Sequence, residues 1–518
     1  MAIQVRRREG TAGGGAYPPG TIAALAKLLD ELAGEGVRFC LWKSNLHLAE
    51  ALEGLTDLDL LVERDQIHRF REIVLRHGTK PLVPPPGGRY PGLEHFLGFD
   101  PSSGRQFHLH VHDRLVLGQR YVKNHHLPLE SAFLDSVRLL EGVPVPRPEL
   151  ELAVLAVRTL LKYRARDVVK DVLGIRSPGI TAEMQGEIRW LLEQTSIERV
   201  RETLRQTRGV VPGDVVCDLL ETVVREPRSG YVLFRLRGRL RSVLRGLQRR
   251  SRIQARAEYL WFLWLRRRGL RRRPFDPRMT PASGGRTIAL VGADGSGKST
   301  IVEALVDRLG WKLQVRSYYM GSKAPSRTSR WLYLAFRALR RGHRSASGRF
   351  GPAEARPIAA VRDVTLALHH LSIGRDRARR YREAERDARA GRVVIFDRFP
   401  LETLSCERSH RLLDGPQIAD ALGDSIGPVT GLLARREERI YRRFRLPDSL
   451  VVLQVSPEVS VLRKPDHLPD VLAAKGRATL EVAGLAEASG EVAVIRIDAD
   501  RPLDDVLLDL EARLWDVL

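Results

Sequence analysis

Cysteine is scarce in this chain of 518 residues, which has only three: Cys40, Cys217 and Cys406. They are odd in number and lie far apart in the sequence. Disulfide-rich secreted domains and Cys-based zinc sites both need closely spaced cysteines, so the sequence excludes both patterns. The absence of a disulfide framework fits a reducing compartment best.

Long apolar runs are also missing. The most apolar stretch covers residues 259–265, whereas a helix needs about 20 apolar residues to span a bilayer. Residues 1–20 carry charges and lack the apolar centre of a signal peptide. We therefore expect a cytoplasmic protein, or one peripheral to the membrane.

Acidic residues are fewer than basic ones. The chain has 63 acidic and 86 basic residues, which give a formal net charge of +23. Residues 235–273 hold 15 arginines against one acid, Glu258, so this segment contributes +14 of that charge. Three interpretations of the segment stay open. It is a helical linker whose aromatics pack on a neighbouring domain, a helix on an anionic membrane surface, or, less favoured, a contact with nucleic-acid phosphates. An oligomer is compatible with the sequence.

The apolar pattern divides the chain into parts. After a flexible start at residues 1–20, helix and strand patterns predict a small α/β domain over 21–120. Helical patterns dominate residues 121–273. A linker rich in Pro, Gly and Ser spans 274–286 and leads into a second α/β domain at 287–518. Strands alternate with helices in that domain, which predicts a parallel, doubly wound sheet.

Individual elements are clearest where the apolar spacing is regular. The predicted helices cover residues 21–36, 152–173, 197–207 and 214–224, and the leucines at 233–247 line one face of a further helix. The predicted strands cover residues 37–42, 58–62, 107–111, 287–291, 393–396, 449–455 and 492–497.

A glycine-rich motif opens the second α/β domain. Residues 292–299 read GADGSGKS and fit G-x-x-x-x-G-K-[ST], between a predicted strand and a predicted helix. The glycines let backbone N–H groups turn toward phosphate oxygens, and the helix presents its N-terminus to the anion. Lys298 would contact the β- and γ-phosphates, and Ser299 would bind Mg²⁺. The predicted nucleotide-binding residues are Gly292, Gly295, Ser296, Gly297, Lys298, Ser299 and Thr300.

A second buried strand in this domain ends in a carboxylate and a guanidinium, Asp397 and Arg398. In an open α/β sheet, ligands bind at the carboxyl edge of the strands, which is where both side chains would lie. Asp397 would hold Mg²⁺ directly or through water, or orient the acceptor. Arg398 would clamp an acceptor phosphate through two hydrogen bonds.

In these motifs and in residues 447–464, the chain resembles the thymidylate kinase family of P-loop kinases, over roughly residues 286–518. The resemblance implies phosphoryl transfer from ATP, with Mg²⁺, to a nucleoside monophosphate or related small acceptor. It also implies that Asp294 positions the acceptor and that Arg375 or Arg377 contacts the acceptor phosphate. A lid with basic residues is implied as well, and the available residues are Arg463, Lys464, Lys475 and Arg477.

The chain departs from that family in two places. Residues 318–321 read YYMG where the family carries Phe-Pro and then an Arg- and Thr-rich segment, and the lid reads RKPDH at 463–467. The acceptor therefore stays open. No Asn-Lys-x-Asp guanine motif is present, and no acid follows Asp397 to activate water, so a kinase is favoured over a GTPase or a hydrolytic ATPase.

The N-terminal domain carries Lys43-Ser44 before a strand with Asp57 and Asp59. Carboxylates two residues apart on a strand share a face, where they would hold Mg²⁺. Here the chain resembles the nucleotidyltransferase superfamily, with residues 162–167 similar to its helical companion domain. His108 stands where that superfamily's third carboxylate is expected. The domain is then an active transferase, a nucleotide-binding relic or an unrelated α/β domain.

The same strand offers a different site. His108, His110 and His112 alternate and share one face, so they are a candidate metal site. Ordinary surface or core histidines are the more common interpretation of such a pattern.

For the whole chain, the main prediction is an ATP-dependent phosphotransferase. The alternatives are a nucleotidyltransferase acting through the N-terminal domain and a nucleotide-dependent switch without kinase turnover.

Overall fold

Strands and helices form where the apolar spacing of the sequence predicts them in both α/β regions. A computed structural model describes residues 17–119, 121–163, 167, 169, 180–207, 209–224, 230–272, 276–322, 325–351, 353–401, 414–465 and 468–518. Residues 1–16 of the predicted flexible start and residues 273–275 around the start of the predicted linker lie outside this description. The chain divides into two units, Met1–Pro277 and Arg278–Leu518.

The first unit contains a mixed sheet and a group of helices. Its strands are β1 (Phe39–Leu41), β2 (Asp57–Val62), β3 (Lys80–Val83), β4 (Leu93–Asp100), β5 (Arg105–His112), β6 (Leu115–Gln119), β7 (Val122–Leu127), β8 (Arg138–Leu140) and β9 (Val143–Val145). Its helices are α1 (Ala23–Gly34), α2 (Leu48–Leu52), α3 (Ile67–Arg76), α4 (Glu130–Asp135), α5 (Pro148–Lys162), α6 (Ala182–Leu192), α7 (Ile197–Gln206), α8 (Gly213–Val224), α9 (Gly230–Val243) and α10 (Arg252–Arg272).

The sheet of the first unit has the order β1-β2-β5-β4-β3. Strands β2 and β5 run parallel, while β4 is antiparallel to both β5 and β3. Apolar residues of α1 and α3 pack against the sheet. Helix α5 is buried on nearly all sides among β6 and the helices that follow it. Its interior position explains the continuous apolar run over residues 152–157.

Several outcomes in this unit differ from the sequence predictions, which had no strand at the positions of β3 and β4. The predicted helix at 152–173 ends at Lys162, because Tyr163 has extended backbone angles; most of the remainder lies outside the described residues. The hairpins β6–β7 and β8–β9 were not predicted, since short strands of mixed polarity give little periodic signal. The helix predicted from its leucines is α9, with Leu233, Leu236 and Leu240 buried.

The second unit is a parallel α/β structure, as the sequence predicts. Its strands are β10 (Thr280–Pro281), β11 (Arg286–Gly292), β12 (Val315–Tyr319), β13 (Val393–Asp397), β14 (Ser449–Gln454) and β15 (Ala493–Asp498). Its helices are α11 (Lys298–Leu309), α12 (Arg327–Phe350), α13 (Arg356–Arg389), α14 (Ile418–Leu422), α15 (Pro428–Tyr441), α16 (Pro457–Arg463), α17 (Pro469–Ser489) and α18 (Leu503–Val517).

Five of these strands pair in the order β12-β13-β11-β14-β15, and every pair is parallel. Helices α13 and α17 bury one face of the sheet, and α11 and α18 pack together at the other. The sheet is therefore doubly wound, with β11 in the centre. A central strand is buried on both sides, which explains its continuous apolar run.

The arginine-rich segment contains the long helix α10. Phe262 on this helix contacts Tyr121 (ring centroids 6.2 Å apart), and Arg266 donates a hydrogen bond to the Tyr121 hydroxyl at 3.1 Å. Trp261 and Trp264 stack on each other and remain half exposed. Contact of this segment with an anionic membrane stays a prediction. Within the described part of the chain, no helix combines the length and apolarity needed to cross a bilayer.

The pairing of β4 with β5 depends on a small residue at position 98. A Cβ atom at Gly98 would lie 2.1 Å from the buried Phe107 ring. We therefore expect Gly98→Ala to lower the free energy of unfolding by about 1–3 kcal/mol, since overpacking forces side chains and backbone to shift. Urea denaturation followed by circular dichroism measures this change. The control is Gly186→Ala in α6, where no heavy atom of the described chain lies within 4 Å of the added group. A loss of stability no larger in Gly98→Ala than in the control would contradict the close packing.

Candidate functional site

The glycine-rich motif lies at the carboxyl edge of the central strand. Strand β11 ends at Gly292 and helix α11 begins at Lys298, so the predicted strand, loop and helix are all present. Strands β13 and β14 pair with β11 on either side. Their carboxyl ends therefore surround the loop, which is where ligands bind in open α/β sheets.

The glycines of the loop are required by its shape. Gly295 and Gly297 have φ values of 90° and 83°, in the left-handed region that other residues rarely adopt. A Cβ atom on Gly292 would lie 2.6 Å from Ser296 Oγ and 2.9 Å from the Leu453 carbonyl oxygen. The loop can therefore turn tightly only with glycine at these positions.

The Lys298 side chain is buried inside the loop. Its Nζ donates hydrogen bonds to the carbonyl oxygens of Gly292 at 2.9 Å and Ala293 at 2.6 Å, and to Ser296 Oγ at 3.3 Å. Burial lowers the pKa of Lys298 to about 8, and the charge of Arg398 acts in the same direction. The ammonium thus occupies the loop whose N–H groups are predicted to bind phosphate.

Ser299 and Asp397, the two predicted Mg²⁺ ligands of this unit, are in direct contact. The Ser299 hydroxyl donates a hydrogen bond to Asp397 Oδ2 at 2.7 Å. The other carboxylate oxygen, Oδ1, is buried and has no hydrogen-bond partner among the described residues. A buried carboxylate oxygen without a partner is unfavourable unless a donor or cation reaches it. The pair therefore fits a hard divalent cation bound through oxygen.

Arg398 follows Asp397 in a left-handed conformation, with φ of 69°. Its guanidinium donates to Asp294 Oδ1 at 2.9 Å and to Asp414 Oδ2 at 3.3 Å. Lys475 also pairs with Asp294. Burial alone would raise the pKa of Asp294, but the hydrogen bond and charge of Lys475, with the charge of Arg398, hold that pKa below its ordinary value.

Asp414 is the residue of this site that the sequence did not predict. It accepts hydrogen bonds from both Arg398 and Arg377, the latter at 2.8 Å. Arg377 is 3% exposed, and its guanidinium also donates to the Met320 carbonyl oxygen and the Tyr441 hydroxyl. No local motif marks Asp414, because its partners are distant in sequence.

The two arginines proposed for the acceptor phosphate have different surroundings. Arg377 donates hydrogen bonds to the carbonyl oxygens of Met320 and Asp414. Arg375, on α13, is exposed. Neither lines the cleft beside the loop. That cleft is lined by Val291, Gly292, Asp294, Lys298, Arg398, Phe399, Leu401, Asp414, Lys475, Thr479 and Val482. It combines three cations and two carboxylates with an apolar wall.

The predicted lid begins with a helix packed on the loop. Ser460 donates a hydrogen bond to the Asp294 carbonyl oxygen at 2.6 Å, and Arg463 donates to the Ala499 carbonyl oxygen at 3.0 Å. Lys464 and Arg477 are exposed. Residues 466 and 467 of the predicted lid lie outside the described residues. Of the four basic residues, Lys475 is the one that lines the cleft.

In the first unit, the two predicted metal-binding carboxylates each pair with a histidine. Asp57 Oδ1 lies 2.8 Å from His108 Nδ1, and Asp59 Oδ1 lies 2.7 Å from His110 Nδ1. The parallel register of β2 and β5 produces both pairs. Lys43 Nζ lies 2.7 Å from Asp59 Oδ1. Burial alone would raise the pKa of Asp59, but the charge of Lys43 and the hydrogen bond with His110 hold it well below its ordinary value.

Residues next to this pair of strands add a second buried contact. Ser44 has a left-handed φ of 61° and is followed by Asn45, which donates hydrogen bonds from N and Nδ2 to the Glu151 carboxylate on α5. Burial raises the pKa of Glu151 to about 7. The Lys43-Ser44 turn is thus fixed to the helical part of the same unit. Residues 164–166 of the predicted companion segment lie outside the described residues.

Comparison with known proteins gives relatives whose names concern ATP. No family model matches the chain. The Escherichia coli (strain K12) protein called uncharacterized ATP-binding protein YghS is 28% identical over 227 residues, covering 43% of this chain and 89% of that protein. The uncharacterized ATP-binding protein YghR of the same strain is 30% identical over 184 residues, covering 35% of this chain and 69% of that protein. A structure of deoxyadenosine kinase from M. mycoides with the products dCMP and dCDP is 14% identical, with a TM-score of 0.28, covering 45% of this chain and 100% of that one.

Asp414 compensates two arginines, one of them almost fully buried. We expect Asp414→Asn to lower the free energy of unfolding by about 3–5 kcal/mol, because breaking a buried ion pair leaves an uncompensated charge. Chemical denaturation measures the loss. The exposed Asp424 supplies the control, since Asp424→Asn should change stability by no more than about 0.5 kcal/mol. Equal effects of the two substitutions would argue against the ion-pair network.

Proposed function

This chain belongs to the same family as the E. coli ATP-binding protein YghR, and we propose that its second unit is an ATP-dependent phosphotransferase. It passes the γ-phosphoryl group of ATP to a small acceptor, such as a nucleoside monophosphate. The observation that carries the proposal is the contact between Ser299 and Asp397, which joins the glycine-rich loop to the end of the neighbouring strand. The ATP-binding names of YghR and YghS support the nucleotide assignment.

The loop and α11 would bind the phosphates of ATP. Backbone N–H groups near Gly295 and Gly297 and the N-terminus of α11 attract negative charge. Lys298 would exchange its carbonyl partners for phosphate oxygens, which are better partners for an ammonium than neutral carbonyls. This exchange leaves the ammonium close to the transferred group, where its charge stabilises the transition state.

Ser299 and Asp397 would hold Mg²⁺, which when bound neutralises charge on the phosphate oxygens. Asp397 Oδ1, which has no hydrogen-bond partner among the described residues, fits this role, because Oδ2 of the same carboxylate already accepts from Ser299. The residue after Asp397 is Arg398 rather than a second acid. A hydrolytic enzyme would need a group to activate water, whereas transfer to an acceptor needs positioning and charge stabilisation.

The cleft charges suit an anionic acceptor. Arg398 and Lys475 are both engaged by Asp294. An incoming phosphate would compete with this carboxylate for the two cations and is a stronger bidentate partner for a guanidinium. The apolar wall formed by Phe399 and Leu401 would contact the uncharged part of the acceptor. A small phosphorylated molecule with an apolar or aromatic part fits both features.

The central test is ADP formation from Mg·ATP in the presence of nucleoside monophosphates, nucleosides and phosphorylated sugars. One acceptor class should stimulate ADP formation, and Lys298→Ala should reduce the stimulated rate by about 100-fold or more, because a charge that stabilises the transition state is lost. Lys312→Ala removes the same charge beyond the end of α11 and should leave the rate unchanged. ATP binding without stimulation by any acceptor would instead favour a nucleotide-dependent switch.

The metal assignment has a separate test. We expect Asp397→Asn to raise the Mg²⁺ concentration needed for half-maximal ADP formation by about tenfold or more, equivalent to about 1.4 kcal/mol of lost binding free energy. Activity is titrated with Mg²⁺ at saturating ATP. Asp505→Asn, an exposed carboxylate at the start of α18, is the matched control. An unchanged Mg²⁺ requirement in Asp397→Asn would remove Asp397 from the metal site.

A further inference from the structure

Four histidines lie together on one face of the sheet in the first unit. His95 on β4 and His108, His110 and His112 on β5 are brought together by the antiparallel register, in which His95 is opposite His110. The His95 ring stacks on His108 and His110, with centroids 5.3 Å and 4.8 Å apart. His95, His108 and His112 are 8%, 2% and 2% exposed.

Buried imidazoles are unfavourable in such a position unless they have partners. Burial lowers the pKa of His95, His110 and His112. Both nitrogens of a buried imidazole need a hydrogen-bond or metal partner. Apolar side chains at these positions would bury the same sheet face without losing the free energy of hydration of those nitrogens. Nε2 of His95 and of His112 have no hydrogen-bond partner among the described residues. These nitrogens point to a ligand that accepts imidazole coordination.

One group on this face has the geometry of a metal site. Asp59, His110 and His112 each offer one ligand atom, and these atoms lie within 4.8 Å of one another. Asp59 Oδ1 is 2.7 Å from His110 Nδ1 and 3.9 Å from His112 Nε2. The ligands come from two adjacent parallel strands, so the backbone of the sheet fixes their spacing.

We propose that Asp59, His110 and His112 form a binding site for a divalent transition metal of the zinc class. Two imidazoles and one carboxylate are a ligand set typical of such ions, which accept nitrogen ligands, whereas Mg²⁺ prefers oxygen. The site differs from the Asp57 and Asp59 pair that the sequence predicts. Asp57 Oδ1 already lies 2.8 Å from His108 Nδ1. The side chains that lie close enough to Asp59 to share a metal ion with it are histidines, not a second carboxylate. The inference concerns the first unit and does not depend on the proposed phosphotransferase.

Lys43 is the competitor of the metal. Its ammonium lies 2.7 Å from Asp59 Oδ1 and compensates the buried carboxylate. A bound divalent ion would repel this ammonium and replace it as the counter-ion of Asp59. The charge of Lys43 therefore weakens metal binding, and removing it should strengthen binding at the same ligands. This sign distinguishes the site from a purely structural ion pair, in which loss of Lys43 only destabilises the unit.

The experiment uses the purified full-length chain and two probe ions, Zn²⁺ and Co²⁺. After equilibration with Zn²⁺ and removal of excess ion, we expect one Zn²⁺ per chain by elemental analysis. Bound Co²⁺ should give the visible absorption bands of a four- or five-coordinate ion. Competition with a chromophoric chelator measures the affinity for each ion. His110→Ala and His112→Phe should each weaken Zn²⁺ binding by at least about tenfold. His112→Phe keeps an aromatic ring against Trp42, which limits the loss of packing.

Two further variants make the test decisive. His126→Ala removes a histidine on β7 that pairs with Glu130 outside the site, and it should bind Zn²⁺ as the wild-type chain does. Lys43→Met should bind Zn²⁺ about tenfold or more tightly. Circular dichroism confirms that each variant is folded. The proposal is overturned if the wild-type chain retains no Zn²⁺, if His110→Ala and His126→Ala bind it equally, or if Lys43→Met binds it no more tightly than wild type.

Discussion

The parallel pairing of β11 with β13 is the constraint on which the candidate site of the second unit depends. The register places Leu290 opposite Asp397, so the glycine-rich loop after β11 and the carboxylate at the end of β13 reach the same edge of the sheet. The hydrogen bond between Ser299 and Asp397 follows directly from that register. A slip of one residue would turn Asp397 to the opposite face of the sheet and separate the two groups.

Charge balance organises the rest of this site. Asp294 and Asp414 hold Lys475, Arg398 and Arg377 in place through ion pairs. The proposed anionic acceptor would therefore meet cations that are already ordered and would not spend binding energy on ordering them. In the first unit a similar balance operates on a smaller scale, where Lys43 compensates Asp59 on a sheet face that carries four histidines.

The elements and site residues that could be predicted from the sequence are those that short, local patterns mark. The strand, loop and helix around Lys298 and the strand ending at Asp397 were found because each lies within a short, regular segment. Asp414 was missed because its importance comes from Arg377 and Arg398, which precede it by 37 and 16 residues. His95 was missed because β4 carries no clear alternation, and its position beside His110 depends on strand register alone. The roles assigned to the site residues stay predictions.

The backbone of Arg398 carries a cost in stability. A residue with a side chain in the left-handed region carries about 1–2 kcal/mol of conformational strain, which glycine would not have. Replacement by glycine would therefore relax the chain at this point while deleting the guanidinium from the cleft. The strain and the charge thus make opposite demands on the residue at this position. At position 398 the backbone conformation therefore favours glycine, while the ion pairs with Asp294 and Asp414 require a guanidinium.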